Sequence, residues 1–137
     1  MALGIAGRIP ADYVPDVETR LNLYAEIDRV RDPAALETVG RDIEDRFGPP
    51  PAAARSLLRL ADLRLRCYEV GVGRLAAGPK GIAAVFRTRK AADVVRAAAV
   101  PDGWRWVDNK LVYPVTSTSV KDRFTAAARL LETIETV

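Results

Sequence analysis

"RLAAGPKGIAAVFR", residues Arg74–Arg87, is the stretch in which the sequence changes from helical to strand periodicity. After the glycine–proline turn, apolar side chains recur at every second position, at Ile82, Ala84 and Phe86. A period of two is typical of a β-strand, and a turn between two short runs of this kind predicts a hairpin. Because the residues before it have helical periodicity, this stretch indicates a mixed fold.

The hairpin pattern occurs a second time further along the chain. Residues Trp104–Val115, WRWVDNKLVYPV, read as two short strands around an Asp-Asn turn. Between the two hairpins, Thr88 is the predicted cap of a short alanine-rich helix. Ser119 and Asp122 have the spacing of a capping box, which predicts the start of a closing C-terminal helix.

Three helices are predicted before the first hairpin. The first begins near Asp16, after Pro10 and Pro15 have fixed the backbone of residues 8–15, the leading segment. Its predicted inward face is formed by Val17, Leu21, Tyr24, Ile27 and Val30. The second follows Asp32 and stops at Gly48. Its predicted inward face is formed by Leu36, Val39, Ile43 and Phe47.

The third helix follows Pro51 and ends at Gly71, and Tyr68 is among its predicted inward residues. It is apolar around much of its circumference, as a central helix would be. The whole pattern predicts an α+β fold: helices followed by a small antiparallel sheet of two hairpins interleaved with a helix, and a closing C-terminal helix. Residues 1–8 are predicted to be an N-terminal stub or linker, and residues 9–137 a single domain.

Composition argues against several classes of function. The chain has 137 residues, with 21 basic and 18 acidic side chains and a formal net charge of +3. It contains no histidine, the commonest general acid–base and metal ligand. Cys67 has no second cysteine to pair with, and no apolar run approaches the roughly 20 residues that span a bilayer. We expect a cytoplasmic, non-catalytic domain with no metal site, no cofactor and no membrane partner.

Two carboxylates on the second predicted helix are candidates for contact with a partner. Asp42 and Asp45 are three residues apart, so they share a helix face nearly opposite the inward residues. They stand just before the Phe-Gly-Pro corner that ends the helix, where they can pair with arginines of another protein. The alternative interpretation is an ordinary solvated face, because Arg41 and Arg46 are close by in the sequence.

A basic cluster follows the first hairpin. Arg87, Arg89 and Lys90 are candidate phosphate contacts, although the aromatic residues of a single-strand-binding surface are lacking nearby in the sequence. Trp104 and Trp106 lie on one face of a strand, where two large rings favour a core position over an exposed contact surface.

Four segments occur in order and with compatible spacing: IPADYVPDVETRLNLY (Ile9–Tyr24), RDIEDRFGPPP (Arg41–Pro51), LLRLADLRLRCYEVGVGRL (Leu57–Leu75) and AGPKGIAAVF (Ala77–Phe86). Together they resemble the C-terminal domain of the bacterial transcription-repair coupling factor family. The resemblance covers Ile9 to about Phe86, and its specific parts are the leading segment and the Asp45–Pro49 corner. Beyond Phe86 the layout agrees more than the residues do.

The resemblance implies a regulatory role inside a large multidomain translocase. In that family a motor that uses ATP and Mg²⁺ acts on DNA to displace RNA polymerase stalled at damage, and the protein recruits the excision-repair machinery. The resemblance implies that residues 9–137 form a C-terminal regulatory lid. This lid would pack on the N-terminal module of the parent, mask its surface for the damage-recognition ATPase of excision repair, and restrain the motor. Asp42 and Asp45 would face arginines of that module.

A DNA-contacting accessory domain is the alternative function. It would bind phosphates through Arg87, Arg89 and Lys90, with Arg105 as a further contact. Such binding falls by about one log unit per log unit of salt for each phosphate contact, and it needs no N-terminal module.

Overall fold

The computed structural model describes residues 3–78, 81–98, 100–115 and 119–135. Its elements are α1 (Val17–Arg29), α2 (Pro33–Phe47), α3 (Ala52–Glu69), β1 (Val72–Gly78), β2 (Gly81–Phe86), α4 (Arg89–Arg96), β3 (Arg105–Val107), β4 (Lys110–Tyr113) and α5 (Val120–Glu135). The predicted α+β fold is confirmed, with both hairpins, the helix between them and the closing helix present. Among the described residues, no helix is both long and apolar enough to cross a membrane.

The chain divides into two compact units, and the division falls inside α3. The helical unit is Ala6–Leu65, and the sheet unit comprises Met1–Ile5 together with Arg66–Val137. The predicted boundary between a stub of residues 1–8 and a domain of residues 9–137 stays a prediction.

Helix α1 confirms the predicted element and part of the predicted inward face. Asp16 is its N-cap, and the side chain accepts a hydrogen bond from the N–H three residues later at 2.9 Å. Ile27 and Val30 are buried as predicted, but Val17 and Leu21, also predicted to point inward, are 58% and 62% exposed, and Leu23 is buried instead. The predicted face drifts around the helix because its steps of three residues fall short of the 3.6-residue turn. Packing against α2 and α3 buries only the C-terminal end of that face.

Helix α2 forms as predicted. The Asp32 side chain accepts a hydrogen bond from Ala35 N–H at 2.8 Å, and Pro33 occupies the first turn, where its missing N–H is not needed. The helix ends at Phe47 because Gly48 has a φ of 88°, a left-handed conformation that suits glycine. Both ends of α2 are therefore set by local sequence.

Helix α3 is shielded from solvent over much of its length, and none of residues 60–67 is exposed. The prediction that Tyr68 points inward is wrong: its side chain is 69% exposed, in the last turn of the helix. The buried core of the helical unit is formed by Ile9, Val14, Leu23, Ile27, Val30, Leu36, Val39, Ile43, Ala61 and Leu65. Three helices and the leading segment thus share one core.

The sheet unit is built on a four-stranded antiparallel sheet with the strand order β1-β2-β4-β3. Each predicted hairpin forms, and pairing of β2 with β4 joins the two hairpins. A register shift between Val72 and Arg74 places a bulge in β1. At the centre, Ala84 pairs with Leu75 on one side and Leu111 on the other, and all three are fully buried. Helices α4 and α5 contact β2, and the Ala84 face is the fully buried one. Arg96 of α4 lies over the ring of Trp106, the partner of Leu111, so the helices cover this face.

The two tryptophans lie on this covered face. Trp106 pairs with Leu111 and its ring stacks on Phe86 at 5.6 Å between centroids, while Trp104 stacks on Tyr113 at 4.6 Å. Both tryptophans are half-buried. The predicted common face is correct, but the rings lie at the margin of the core and not in its centre.

Helices α4 and α5 begin at their predicted caps. The Thr88 hydroxyl accepts a hydrogen bond from Ala91 N–H, and the Ser119 hydroxyl accepts one from Asp122 N–H, each at 3.1 Å. The buried side of α5 is formed by Phe124, Ala126, Ala127, Leu130, Leu131 and Ile134. This side supplies much of the core of the sheet unit.

Candidate functional site

The C-terminal corner of α2 is held by the leading segment. The Tyr13 hydroxyl donates a hydrogen bond to the Gly48 carbonyl oxygen at 2.6 Å, and the Tyr13 and Phe47 rings meet edge-on with centroids 6.0 Å apart. Burial, and secondly the Glu44 carboxylate, raises the pKa of Tyr13, so the hydroxyl keeps the proton that it donates. The corner is therefore fixed by residues that are distant in the sequence.

The leading segment is itself fixed by side chains of α1. Ile9 N–H donates to the Tyr24 hydroxyl oxygen at 2.7 Å. The Arg20 guanidinium donates to the carbonyls of Val14 and Pro15 at 2.7 and 3.0 Å. With these bonds and two prolines, the segment has little freedom, and it presents the α2 corner in one arrangement.

The two predicted carboxylates lie on the exposed side of α2, as helix geometry predicts, but they differ in their surroundings. Asp42 lies 3.5 Å from the guanidinium of Arg46, four residues later, in an ion pair that is open to solvent. Asp45 is exposed and makes no ion pair with any residue that the structure describes. A solvent-exposed pair is worth about 0–1 kcal/mol, so Asp42 can exchange Arg46 for another cation at little cost.

The three residues of the predicted basic cluster differ in their contacts. Arg87 Nη2 donates to the Tyr68 carbonyl oxygen at 2.9 Å, and its guanidinium carbon lies 4.5 Å from the centroid of the Tyr68 ring. Arg89 and Lys90 are exposed in the first turn of α4. All three residues are exposed, but the Arg87 guanidinium is engaged by Tyr68, so a phosphate would compete with an internal contact at Arg87.

Two of these contacts were missed by sequence reasoning. Tyr13 stands between two prolines, which marks a rigid segment, but its hydrogen-bond partner Gly48 is 35 residues away. Tyr68 and Arg87 are 19 residues apart and meet because the end of α3 lies beside the end of β2. No local pattern identifies either pair.

Among the described residues, no group of three His, Cys, Asp or Glu side chains is placed to hold a metal ion. Cys67 is buried, and that burial raises the pKa of its thiol to about 12. A thiol is a weak nucleophile compared with a thiolate, so Cys67 is not activated at neutral pH. Exposed charged side chains such as Asp45 and Lys90 are suited to contact with a partner.

Comparisons with known proteins agree on one family. The model of the TRCF domain family matches residues 3–97. The transcription-repair-coupling factor of Escherichia coli (strain K12) is 38% identical over 73 residues, which are 53% of this chain and 6% of that protein. The transcription-repair-coupling factor of Rickettsia conorii is 30% identical over 117 residues, which are 81% of this chain and 10% of that protein.

A solved structure has a similar fold. A crystal structure of the C-terminal domain of transcription-repair coupling factor has a TM-score of 0.80 with this chain, at 17% identity, covering 98% of this chain and 90% of that one. The family model stops at residue 97, whereas the structural likeness extends over nearly the whole chain. The alignment with the Rickettsia conorii protein covers 81% of this chain and therefore also extends beyond residue 97. The chain spans about a tenth or less of the length of the two relatives described.

Proposed function

Since the chain belongs to the transcription-repair-coupling factor family and has the fold of that family's C-terminal domain, we propose that it is a non-catalytic, autoinhibitory domain of a larger parent protein. It masks the N-terminal module of the parent, which binds the repair factor, and it restrains an ATP-dependent motor. ATP and Mg²⁺ belong to that motor, and this domain holds no cofactor of its own. The parent acts in the cytoplasm, where it contacts RNA polymerase, DNA and the damage-recognition ATPase of excision repair.

The observation that carries this proposal is the exposed carboxylate face of α2. Asp45 has no ion-pair partner among the described residues, and Asp42 has an exchangeable one. Both stand immediately before the corner that Tyr13 fixes through Gly48. Charged groups held in a fixed position favour register and specificity in a contact more than raw affinity.

The mechanism is an equilibrium between a closed and an open state. The domain is tethered to the module that it covers, so the effective concentration is on the order of millimolar, and a weak contact is enough for closure. Arginines of the N-terminal module pair with Asp45 and displace Arg46 from Asp42. Since exposed ion pairs are cheap to exchange, another partner of the parent can open the contact.

The test is charge reversal in the full-length parent of this chain. We expect the double variant Asp42→Arg, Asp45→Arg to raise the ATPase rate and to increase binding of the damage-recognition ATPase. In a calorimetric titration of this chain into the N-terminal module, the double variant should bind at least about tenfold more weakly, because two attractions become repulsions.

Asp102→Arg is the matched control, because Asp102 is an exposed turn residue of the sheet unit and undergoes the same change of charge. It should leave the ATPase rate and the titration unchanged. If the ATPase rate of the double variant were as low as that of the unmodified parent, Asp42 and Asp45 would have no part in the mechanism. Equal activation by Asp102→Arg would point to a general effect of charge.

The accessory DNA-binding function is the second candidate. It is favoured by the exposure of Arg89 and Lys90 side by side at the start of α4. Fluorescence anisotropy with a labelled duplex at several salt concentrations tests it. Under this function, Arg89→Ala combined with Lys90→Ala should reduce the salt slope by about two, one for each phosphate that the variant no longer binds. Absence of DNA binding at low salt would dismiss it.

A further inference from the structure

The antiparallel sheet has a second face, opposite the one that α4 and α5 cover. Residues paired across an antiparallel sheet point to the same side, so the register defines this second face. One row across the strands is Arg74, Val85, Lys110 and Val107. The next row is Ala76, Ala83, Val112 and Arg105. These two rows are the open face.

Burial separates the two faces. Leu75, Ala84 and Leu111, on the covered face, are fully buried. On the open face, the two strand residues at the centre, Ala83 and Val85, are half-buried, and all three cations are exposed. Val107, at the end of one row, is 47% exposed. The open face therefore presents apolar side chains that no helix of the sheet unit covers.

All the charged side chains of the open face are positive. Its cations are Arg74, Arg105 and Lys110, and neither row contains a carboxylate. Among the described residues, no ion pair is formed by these three side chains. The sheet unit as a whole has 12 basic and 7 acidic side chains, a net charge of +5. The face combines an apolar centre with unneutralised positive charge.

We propose that the open face binds an acidic amphipathic helix of a protein partner. A sheet that is apolar on both sides is stable when a second layer covers the second side. The alanines Ala76 and Ala83 let a helix approach closely, and its apolar side chains contact Val85 and Val112. Carboxylates along the helix flanks pair with the cations. Arg74 and Lys110 are two strands apart, about 10 Å, which is close to two helical turns of about 11 Å.

A nucleic acid fits this face less well. Binding of single strands relies on aromatic rings that stack on the bases, and neither row contains an aromatic residue. The aromatic side chains Trp104, Trp106 and Tyr113 are stacked on the covered side. Phosphates would use the cations but leave the apolar centre exposed. The apolar and charged groups together favour protein.

The probe is a labelled helical peptide of about 20 residues, with leucines on one face and glutamates on its flanks. We expect Lys110→Glu to weaken its binding at least about fivefold, because an attraction becomes a repulsion. Lys121→Glu, on an exposed position of α5, is the matched control and should change the affinity less than about twofold. A peptide with lysines in place of the glutamates should not bind, and chemical-shift changes should fall on the four strands.

Circular dichroism checks that each variant is folded. If Lys110→Glu does not fold, Arg74→Glu, an exposed position on β1, makes the same test. Equal weakening by Lys121→Glu would overturn the proposal, since binding would then follow net charge alone. It would also be overturned if the peptide failed to bind while a DNA oligonucleotide bound and was released by Lys110→Glu.

Discussion

At the scale of single residues, one hydroxyl group joins the leading segment to the end of α2. Tyr13 donates to the Gly48 carbonyl at 2.6 Å, and its ring contacts Phe47. A hydrogen bond of this kind contributes a net of about 1 kcal/mol, and its removal leaves the acceptor without this donor. Tyr13 therefore affects both the stability of the helical unit and the position of the corner.

We expect Tyr13→Phe to lower the free energy of unfolding by about 1 kcal/mol, because the ring packing stays and the hydrogen bond is removed. Urea denaturation followed by circular dichroism measures the change. Tyr68→Phe is the matched control, since the Tyr68 hydroxyl makes no hydrogen bond with the described residues, and it should shift stability by less than about 0.5 kcal/mol. Equal decreases in the two variants would contradict this role of the Tyr13 hydroxyl.

Cys67 should resist thiol reagents in the folded chain. Burial raises its pKa from 9.0 to about 12, so at pH 8 only about one molecule in ten thousand carries the thiolate. Labelling with a chromogenic disulfide reagent should be slow in the native chain and immediate in concentrated guanidinium. The pKa of the Cys67 thiol is higher in the folded chain than in the unfolded chain. Its contribution to the free energy of unfolding is therefore fully present below pH 9 and is lost as the pH rises towards 12. Fast native labelling would contradict the burial.

Sequence predicts those residue properties that depend on local geometry. The exposure of Asp42 and Asp45 follows from their angle around α2 relative to Val39 and Ile43. The proximity of Arg46 to Asp42 follows from four-residue spacing. The internal contact that engages Arg87 could not be predicted, because its partner comes from a different element.

At the scale of elements, α2 carries the candidate contact and has a glycine in its middle. A methyl group on Gly40 would meet only Leu58 Cδ1, at 3.8 Å, an ordinary van der Waals contact. Gly40 also lines an open groove of about 610 Å³, which leaves room for the added group. Gly48, at the end of the same helix, has open space around it but a φ of 88°.

The same substitution should have opposite effects at these two glycines. Gly40→Ala should raise the free energy of unfolding by about 0.5–1 kcal/mol, because alanine loses less backbone entropy in a helix. Gly48→Ala should lower it by about 1–2 kcal/mol, because a side chain is strained at positive φ. Urea midpoints of the two variants measure both changes, and each variant serves as the control for the other. A decrease in stability in Gly40→Ala would contradict the room seen beside Leu58.

The ends of several helices were predictable because the capping residues that set them are close to the helix ends in the sequence. Asp32, Gly48, Thr88 and Ser119 were all assigned from sequence, and all four stand where the helices begin or end. The buried face of α1 was predictable only in part, since tertiary packing buries Leu23 with Ile27 and Val30 and leaves Val17 and Leu21 exposed. Each hairpin is a local signal, but the β2–β4 pairing that joins them spans more than 20 residues.

At the scale of the whole molecule, the two units are assembled in different ways. The helical unit is one continuous stretch with its own core. The sheet unit takes residues from both ends of the chain, and the Arg123 guanidinium on α5 donates to the carbonyls of Leu3 and Gly4 at 3.1 and 3.0 Å. The match to the family model ends at residue 97, before β3, β4 and α5.

Truncation after Ala98 should therefore unfold the sheet unit. β2 would lose its pairing with β4, and the buried side of α5 would be absent. We expect amide resonances of β1 and β2 to lose their dispersion, while those of the helical unit keep theirs because its core is intact. Two-dimensional nitrogen–proton NMR measures both in one sample. Native dispersion in β1 and β2 after truncation would show that the segment after residue 98 is dispensable for the sheet.

The strand order β1-β2-β4-β3 leaves β1 and β3 as the borders of the sheet. An unpaired border strand is a template on which further chains can polymerise. Here β3 has only three residues, and β1 is interrupted by the bulge between Val72 and Arg74, with the Arg74 charge exposed. Neither border offers the long, flat ladder of free amides that amyloid growth requires. Each border strand is therefore a poor template for the pairing of a further chain.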